Sequence, residues 1–375
     1  MKTILLFANT DWYLFNFRLP LALEIKKQGF SVVLVSPPGA YGEKMISEGI
    51  EWEPLQMNRR SVNPFGEMMV IWRLIRIFNK YRPDLVHNFT IKSVIYGTIA
   101  GRLTGVKSIV NAVAGMGFIY SSDNFLARVL RPVITLIFKT TLDSSRSRLI
   151  LQNPDDLAFF KKQGLVRGDH IRLIKGSGVN ADRFIPNTEK SGDVVKVLLA
   201  SRLLWEKGIK NYVEAARKVT QKYNDVEFLL AGTPDQGNPG SVQNSDIEQW
   251  KADNLIKPLG HVDNMPELLR DVHVVVLPTV YGEGVPRILI EAAAAGIPLV
   301  ATDVPGCREI VNDGINGYLV HPGDSDALGS AIGKLVEDPG RREEMGQKGR
   351  QIMLDEFEEK SVLKRTLDVY KEVMI

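Results

Sequence analysis

The chain has 375 residues, 44% of them hydrophobic and 24% charged, with a formal net charge of +3 and a single cysteine. That length suits two domains better than one, and the composition describes a globular chain with ample core, which excludes a disordered or disulfide-framed protein. The small net charge hides an asymmetry: residues 1–178 carry 24 Lys+Arg against 13 Asp+Glu and the remainder 23 against 31, so the halves stand at +11 and −8. A basic first half is expected to face something anionic: a membrane surface, a phosphate-bearing substrate or nucleic acid. Cys307 alone cannot form an intramolecular disulfide, which fits a reducing compartment.

The apolar run Ile4–Ala8 is too short for the core of a signal peptide and reads as part of a first strand, Lys2–Ala8. No stretch reaches the length of a transmembrane helix. Helix Leu19–Gln28, strand Ser31–Ser36, helix Gly42–Glu48, strand Trp52–Leu55 and the longer helix Pro64–Lys80, closed by Pro83, follow. Then come strand Leu85–His87, helix Ser93–Leu103, strand Ser108–Asn111, helix Phe125–Thr141, strand Arg148–Gln152, helix Asp155–Gln163 and strand Ile171–Ile174. Gly176-Ser177-Gly178 breaks the pattern and marks a domain join. The second half repeats the alternation. Strand Val195–Ala200, helix Asn211–Lys222 and strand Glu227–Ala231 lead through a polar loop to a helix near Asp246–Ala252. Strand Ile256–Leu259, helix Met265–Leu269 and strand Val274–Leu277 come next. Helix Pro286–Ala295, stopped by Gly296, and strand Pro298–Thr302 follow. Gly306-Cys307 is expected to start a further helix, with Cys307 a packing residue. Strand Tyr318–Val320 and helices Ser325–Glu337, Arg341–Asp355 and Lys360–Val373 complete the chain. Strands alternating with helices imply parallel βαβ units, so the expected fold class is α/β, two Rossmann-like doubly wound domains.

Two segments carry chemistry. In the first, Tyr281-Gly282-Glu283-Gly284-Val285-Pro286 joins a buried strand to a helix whose first turn can take Pro286. Strand, glycine-containing loop and helix N-terminus together form an arrangement that holds phosphate. Glu283 and Glu291 punctuate it, and carboxylates, which only accept hydrogen bonds, suit sugar or ribose hydroxyls. In the second, Ser201-Arg202-Leu203-Leu204-Trp205-Glu206-Lys207-Gly208 follows a strand, so Arg202 and Lys207 can converge on one anion as fork and point charge. Either segment alone is also compatible with an ordinary strand–helix unit bearing surface charges.

The spacing Glu283-x7-Glu291, with Gly284-Val285-Pro286 after the first acid and the Arg202…Lys207-Gly208 pair upstream, resembles the donor site of retaining glycosyltransferases of family GT4 with the GT-B fold, two domains facing across a cleft. The resemblance covers essentially the whole chain. It implies an acceptor domain at 1–178, a nucleotide-sugar domain at 179–358, and a last helix, 359–375, that crosses back to the first domain. It further implies a UDP-sugar donor, no metal or cofactor, and a leaving diphosphate stabilised by Arg202 and Lys207 beside Glu283. Gly232, His261 and Val262, with Gly284, Val285, Pro286 and Glu291, then fall in the donor site; His261 reads as a loop residue rather than a catalyst. One departure stands out. Many relatives carry a His after the strand Ser108–Asn111, whereas here the loop reads Ala112-Val113-Ala114-Gly115-Met116-Gly117.

In the first half, Asn9 and Thr10 follow strand one, Arg18 lies inside the aromatic run Trp12–Pro20, and Arg59 and Lys92 stand near predicted helix starts. They make an anionic, partly apolar acceptor plausible. The chain is similar to N-acetylgalactosaminyltransferases that extend polyprenyl-diphosphate-linked glycans, and that similarity implies a lipid-linked saccharide acceptor. Helices Pro64–Lys80 and Phe125–Thr141 mix large apolar side chains with Arg73, Arg76, Arg128 and Arg131, a composition of interfacial helices. The expected location is therefore cytoplasmic, peripheral on an anionic membrane face. Nucleic acid is not an expected partner, since no recognised module is present. The alternatives are a GT-B nucleotide-sugar 2-epimerase, which the scarcity of His disfavours, and a non-catalytic nucleotide-sugar-binding subunit.

Overall fold

Runs such as Val32–Val35 and Val274–Leu277, buried on both faces, are satisfied only between two helical layers, and they form parallel strands. The structure, a computed structural model, describes residues 1–58, 61, 63–115, 125–142, 144–187, 194–235 and 237–374. It divides into an N-terminal domain, Met1–Ser177 with Ser361–Ile375, and a C-terminal domain, Gly178–Lys360.

The N-terminal domain places β1 (Thr3–Phe7), β2 (Ser31–Ser36), β3 (Glu51–Pro54), β4 (Leu85–Phe89), β5 (Ser108–Val113), β6 (Ser147–Leu151) and β7 (Ile171–Leu173) in the parallel order β3-β2-β1-β4-β5-β6-β7. Its helices are α1 (Asp11–Tyr13), α2 (Leu19–Lys27), α3 (Gly42–Ser47), α4 (Pro64–Tyr81), α5 (Ile91–Leu103), α6 (Phe125–Thr141) and α7 (Pro154–Lys162). The C-terminal domain repeats the plan. Strands β8 (Val195–Ala200), β9 (Val226–Ala231), β10 (Lys257–Gly260), β11 (Val274–Leu277), β12 (Leu299–Thr302) and β13 (Gly317–Val320) run in the order β10-β9-β8-β11-β12-β13. Helices α8 (Ile209–Lys222), α9 (Asn244–Ala252), α10 (Met265–Arg270), α11 (Arg287–Ala294), α12 (Ser325–Glu337) and α13 (Pro339–Glu356) flank it. The last helix, α14 (Glu359–Val373), packs Val362, Leu367, Val369, Tyr370 and Val373 against the core of β1 and β4 in the N-terminal domain. Helix starts follow their local chemistry: Asn153, Asn264 and Asp338 cap α7, α10 and α13 through side-chain acceptors, each with a proline in the first turn.

Each sheet reverses its strand order once, between β1 and β4 and between β8 and β11. Loops leaving the carboxyl ends of two such neighbours diverge, and the crevice between them is where ligands of doubly wound folds sit. Topology alone therefore nominates the loops after β8 and β11, and after β1 and β4.

Four sequence expectations need correction. The run Trp12–Pro20 is helical from Asp11: α1 continues into a π-helical turn, Leu14–Arg18, and then α2. Strand β4 extends beyond His87 because Asn88 and Phe89 keep their register with Asn111 and Ala112. The polar pair that hid this finds one partner per side chain inside the domain: Asn88 Nδ2 donates to Asn111 Oδ1 at 2.9 Å, and His87 Nδ1 lies 2.6 Å from the Tyr370 hydroxyl, while His87 Nε2 and Asn88 Oδ1 are buried without one. His87 thus faces the last helix instead of starting a loop. Helix α5 begins at Ile91, earlier than Ser93, after a strained Thr90 at φ 73°. Gly306-Cys307 starts no helix; it forms a turn closed by Glu309 N–H to Gly306 O and Val311 N–H to Cys307 O. Buried Cys307 has its thiol pKa pushed up by desolvation and by the Glu283 charge, as suits a packing residue.

Candidate functional site

The loop after β8 closes in a single 3-10 turn, Trp205–Lys207, and Gly208 at φ 75° starts α8. A Cβ at Gly208 would stand 1.8 Å from the Pro278 carbonyl oxygen, so only glycine lets this loop lie against the end of β11. That contact aligns the two loops. Val280 N–H and the Thr279 hydroxyl both donate to Glu206 O, and the Tyr281 hydroxyl reaches Glu206 Oε1 at 3.2 Å. Lys207 Nζ then lands 2.7 Å from Glu283 Oε1 and 5.4 Å from the Tyr281 ring centroid. The pair is largely buried, so its mutual attraction is only weakly screened. Glu283 is fixed from the other side by its own N–H, which donates to Pro305 O. Gly306, at φ 88°, lies so close that a Cβ there would meet Gly284 O at 2.1 Å.

Helix α11 begins after Pro286, which serves as its N-cap instead of filling its first turn. Its position four residues after Arg287 puts Glu291 on the same helix face, and Arg287 Nε donates to Glu291 Oε1 at 2.7 Å. Burial raises the Glu291 pKa, opposed by the Arg287 charge and hydrogen bond and by Arg183. Val285 is buried, whereas Gly284 remains part-exposed. Arg202, more exposed than Lys207, donates through Nη1 to Asp235 Oδ2 at 2.9 Å, so its fork is directed to the loop after β9. It remains electrically part of the site: burial and the Glu283 and Glu206 charges raise the Tyr281 hydroxyl pKa, and Arg202 opposes them.

Gly232, at φ 132°, stands where no side chain fits: a Cβ would meet Ser201 O at 1.9 Å, and its N–H donates to Gly260 O at 2.7 Å. The ends of β8, β9 and β10 are thereby knit together. His261 extends from this edge with Nε2 3.2 Å from Asp263, and Val262 packs onto the domain core. Lys207, Glu283, Arg287 and Glu291 thus cluster in paired contacts at one sheet edge, with Arg202 turned aside. Tyr281 and Glu206 join them, although the sequence reading gave neither a role. Both lie within the two quoted motifs, but only the Gly208–Pro278 contact shows that they touch.

At the N-terminal switch point, the Thr10 side chain caps α1 by accepting from Tyr13 N–H, and Asn9 beside it is part-buried. The π-turn swings Arg18 inward to 7% exposure. Its Nε and Nη2 donate to the Tyr13 hydroxyl, and its guanidinium lies 5.3 Å from the Tyr13 ring and 4.4 Å from the Phe89 ring. Lys92 is differently employed. Its ammonium donates to Asn58 O, Ser61 O and Glu67 Oε1, all within 2.9 Å, tying α5 to α4. Glu67 also accepts from Tyr96; these bonds outweigh its desolvation and keep its pKa low. Arg59 and the loop from Met116 lie outside the described residues, while Ala114 and Gly115 end β5's edge.

Residues 3–153 match the model of Glycosyl transferase 4-like domains and residues 180–352 that of Glycosyl transferases group 1. The chain is 26% identical over 373 residues, 96% of both chains, to N,N'-diacetylbacillosaminyl-diphospho-undecaprenol alpha-1,3-N-acetylgalactosaminyltransferase of Campylobacter jejuni. It is 25% identical, over 74% of this chain and 73% of the relative, to UDP-Gal:alpha-D-GlcNAc-diphosphoundecaprenol alpha-1,3-galactosyltransferase of Escherichia coli. Among solved structures, Anabaena HepE in complex with UDP-glucose superposes with a TM-score of 0.79 at 20% identity, over 99% of this chain and all of that one. With both domain models matched in order and the GT-B fold shared, the chain belongs to the GT4-like glycosyltransferases and is a hexosyltransferase.

Proposed function

We propose that this enzyme transfers a hexose or N-acetylhexosamine from a UDP-sugar to a polyprenyl-diphosphate-linked saccharide, with retention of configuration and without a metal ion. The observation that carries the donor half is the buried Lys207–Glu283 pair, brought together from two loops at the β8/β11 switch point. As the sugar–phosphate bond breaks, charge grows on the departing UDP; Lys207 and the first turn of α11 are preorganised to stabilise it. Glu283 accepts hydrogen bonds from the transferred sugar, and Glu291 from the ribose. Arg202 joins the diphosphate by exchanging its Asp235 partner for phosphate oxygens, an exchange its exposure permits. On the front-face route the acceptor hydroxyl attacks the anomeric carbon on the side UDP leaves, and its proton passes to the departing phosphate oxygen. No protein nucleophile is then needed, and the loop that reads Ala114-Gly115 offers none.

The acceptor half rests on the relatives: the names of both transferases describe diphospho-undecaprenol acceptors. On this chain Arg18 supports an anionic acceptor, because among the described residues it meets aromatic rings and a phenol but no carboxylate. Lys92 no longer fits that role, since Glu67 neutralises it. The enzyme would work on the cytoplasmic face of a membrane, with its basic N-terminal domain toward anionic lipid.

A donor screen tests this reading. The purified chain is incubated with UDP-hexoses or UDP-N-acetylhexosamines and a polyprenyl-diphosphate-linked saccharide, following UDP release and the anomeric configuration of the product. Acceptor-dependent UDP release in EDTA, with retention, is expected. Restoration by Mg²⁺ or Mn²⁺ after loss in EDTA overturns the metal-free mechanism. Isomerisation of the UDP-sugar without acceptor supports the epimerase instead, and UDP binding without turnover a non-catalytic subunit.

A further inference from the structure

Helix α4 buries one stripe and exposes another of similar character. Val70, Leu74, Ile77 and Phe78 pack into the N-terminal core. Phe65, Met68, Met69 and Trp72, spaced i, i+3, i+4 and i+7, point the other way and are 83, 67, 47 and 50% exposed. At 3.6 residues per turn the two sets lie on opposite sides of the helix. A core helix needs only one apolar stripe, so the outer one requires its own partner.

The cations next to that outer stripe are arginines. Arg76 follows Trp72 by one turn with its guanidinium 4.9 Å from the indole ring, and Arg73 flanks it; Lys80, a turn farther on, is paired with Glu53. The single acid of α4, Glu67, is turned inward and taken up by Lys92 and Tyr96. The outer face is therefore apolar for its first two turns, with Arg73 and Arg76 beyond them and the Lys80–Glu53 pair at its end. Because α4 runs antiparallel to the strands it connects, its apolar end lies at the carboxyl edge of the sheet, the edge that carries Arg18. An open groove of 620 Å³, lined in part by Met57, Met69 and Arg73, runs beside it. No helix among the described residues is long and apolar enough to cross a membrane.

We propose that the outer face of α4 is a membrane-docking surface: Phe65, Met68, Met69 and Trp72 enter the interfacial layer of an anionic bilayer, and Arg73 and Arg76 pair with its headgroups. An apolar wedge with adjacent cations is complementary to acyl chains beneath phosphate, and to neither alone. The proposal deepens the lipid-linked acceptor reading and rests on it, since it would bring the sheet edge with Arg18 to the surface where such an acceptor lies.

Flotation of the full chain with phosphatidylglycerol–phosphatidylcholine vesicles, compared with phosphatidylcholine alone, provides the test. Binding should require phosphatidylglycerol and fall with salt. Vesicles with brominated acyl chains should quench tryptophan fluorescence, and Trp72→Phe should remove that quenching. The combined variant Phe65→Ser, Met68→Ser and Trp72→Ser, folded by circular dichroism, should bind at least about tenfold more weakly. It should retain transfer to a short-chain, water-soluble acceptor. Equal flotation of this variant and the wild type overturns the proposal, as does a Trp72 that brominated lipid does not quench. A concentration-dependent dimer lost in the same variant also overturns it, because the stripe then joins copies of the chain. Transfer without flotation leaves the acceptor reading standing and removes the docking face; flotation with Trp72 quenching but no transfer does the reverse.

Discussion

The two domains share one architecture, yet the cations singled out in each are held by different kinds of partner. In the C-terminal domain Lys207, Arg287 and Arg202 each face a carboxylate at 2.7–2.9 Å, drawn from the facing loop, the next helical turn or the loop after β9. In the N-terminal domain Arg18 rests on Tyr13 and Phe89, and Arg76 on Trp72, with aromatic faces where carboxylates could have been. A carboxylate partner fixes a cation in place and reduces its field. An aromatic partner holds the position and leaves most of the charge available. The first arrangement suits a site whose ligand brings hydroxyls and phosphate to a preset array. The second suits surfaces that wait for an anion.

The largest effect should follow from breaking the Lys207–Glu283 pair. Lys207→Ala is expected to lower kcat by about 10²–10³ with a smaller change in donor KM, as for loss of one preorganised transition-state stabiliser. It also strands Glu283, and removing one member of a buried pair costs about 3–5 kcal/mol. Replacing both residues by Lys207→Met and Glu283→Leu should recover much of the melting temperature and none of the activity. Recovery of activity in that double variant would place the chemistry elsewhere.

Glu291→Ala should weaken UDP binding about ten- to a hundredfold, from the roughly 1.5–3 kcal/mol of a charged hydrogen bond. Calorimetry with UDP reads this directly, and an unchanged affinity removes the ribose assignment. On the other side of the comparison, Arg18→Met should raise the acceptor KM about tenfold or more while leaving UDP affinity alone. If UDP affinity falls as well, Arg18 serves the donor and the contrast between the domains weakens.

Gly208→Ala tests the contact that assembles the donor loops. The strain of a non-glycine residue at positive φ costs about 1–3 kcal/mol even before the clash with Pro278 O. A lowered melting temperature is expected together with loss of UDP binding. Normal UDP affinity would show that Lys207 does not need this contact.

The smallest effect concerns pH. Burial and the nearby Arg18 charge hold the His87 pKa well below its ordinary value of 6.5. Between the depressed value and 6.5 the unfolded chain binds a proton that the folded chain does not, so this residue's contribution to stability is present above 6.5 and is lost as pH falls below it. Urea unfolding at pH 5 and pH 7.5 should show a smaller pH difference for His87→Asn than for the wild type. An identical difference would mean that another group carries the acid sensitivity.

Much of this protein is written locally. Runs such as Val274–Leu277 are apolar on both faces and specify parallel strands, and Asn or Asp followed by proline starts α7 and α13. The two motifs of the candidate site were legible for the same reason: Arg202 to Gly208 and Glu283 to Glu291 are each contiguous, because a loop and the helix after it supply most of their groups. What the sequence left undecided depends on distant partners. His87 and Asn88 read as the end of a strand until Tyr370 and Asn111 are seen to pair with them. Lys92 read as a phosphate ligand until Glu67 is seen beside it. Tyr281 entered the site only through the close approach of Gly208 to Pro278. The apolar residues of α4 could be divided between core and outer face only when the sheet beneath them was in place. Composition and periodicity fix which residues prefer to leave water; tertiary packing decides which of them find a partner within the chain.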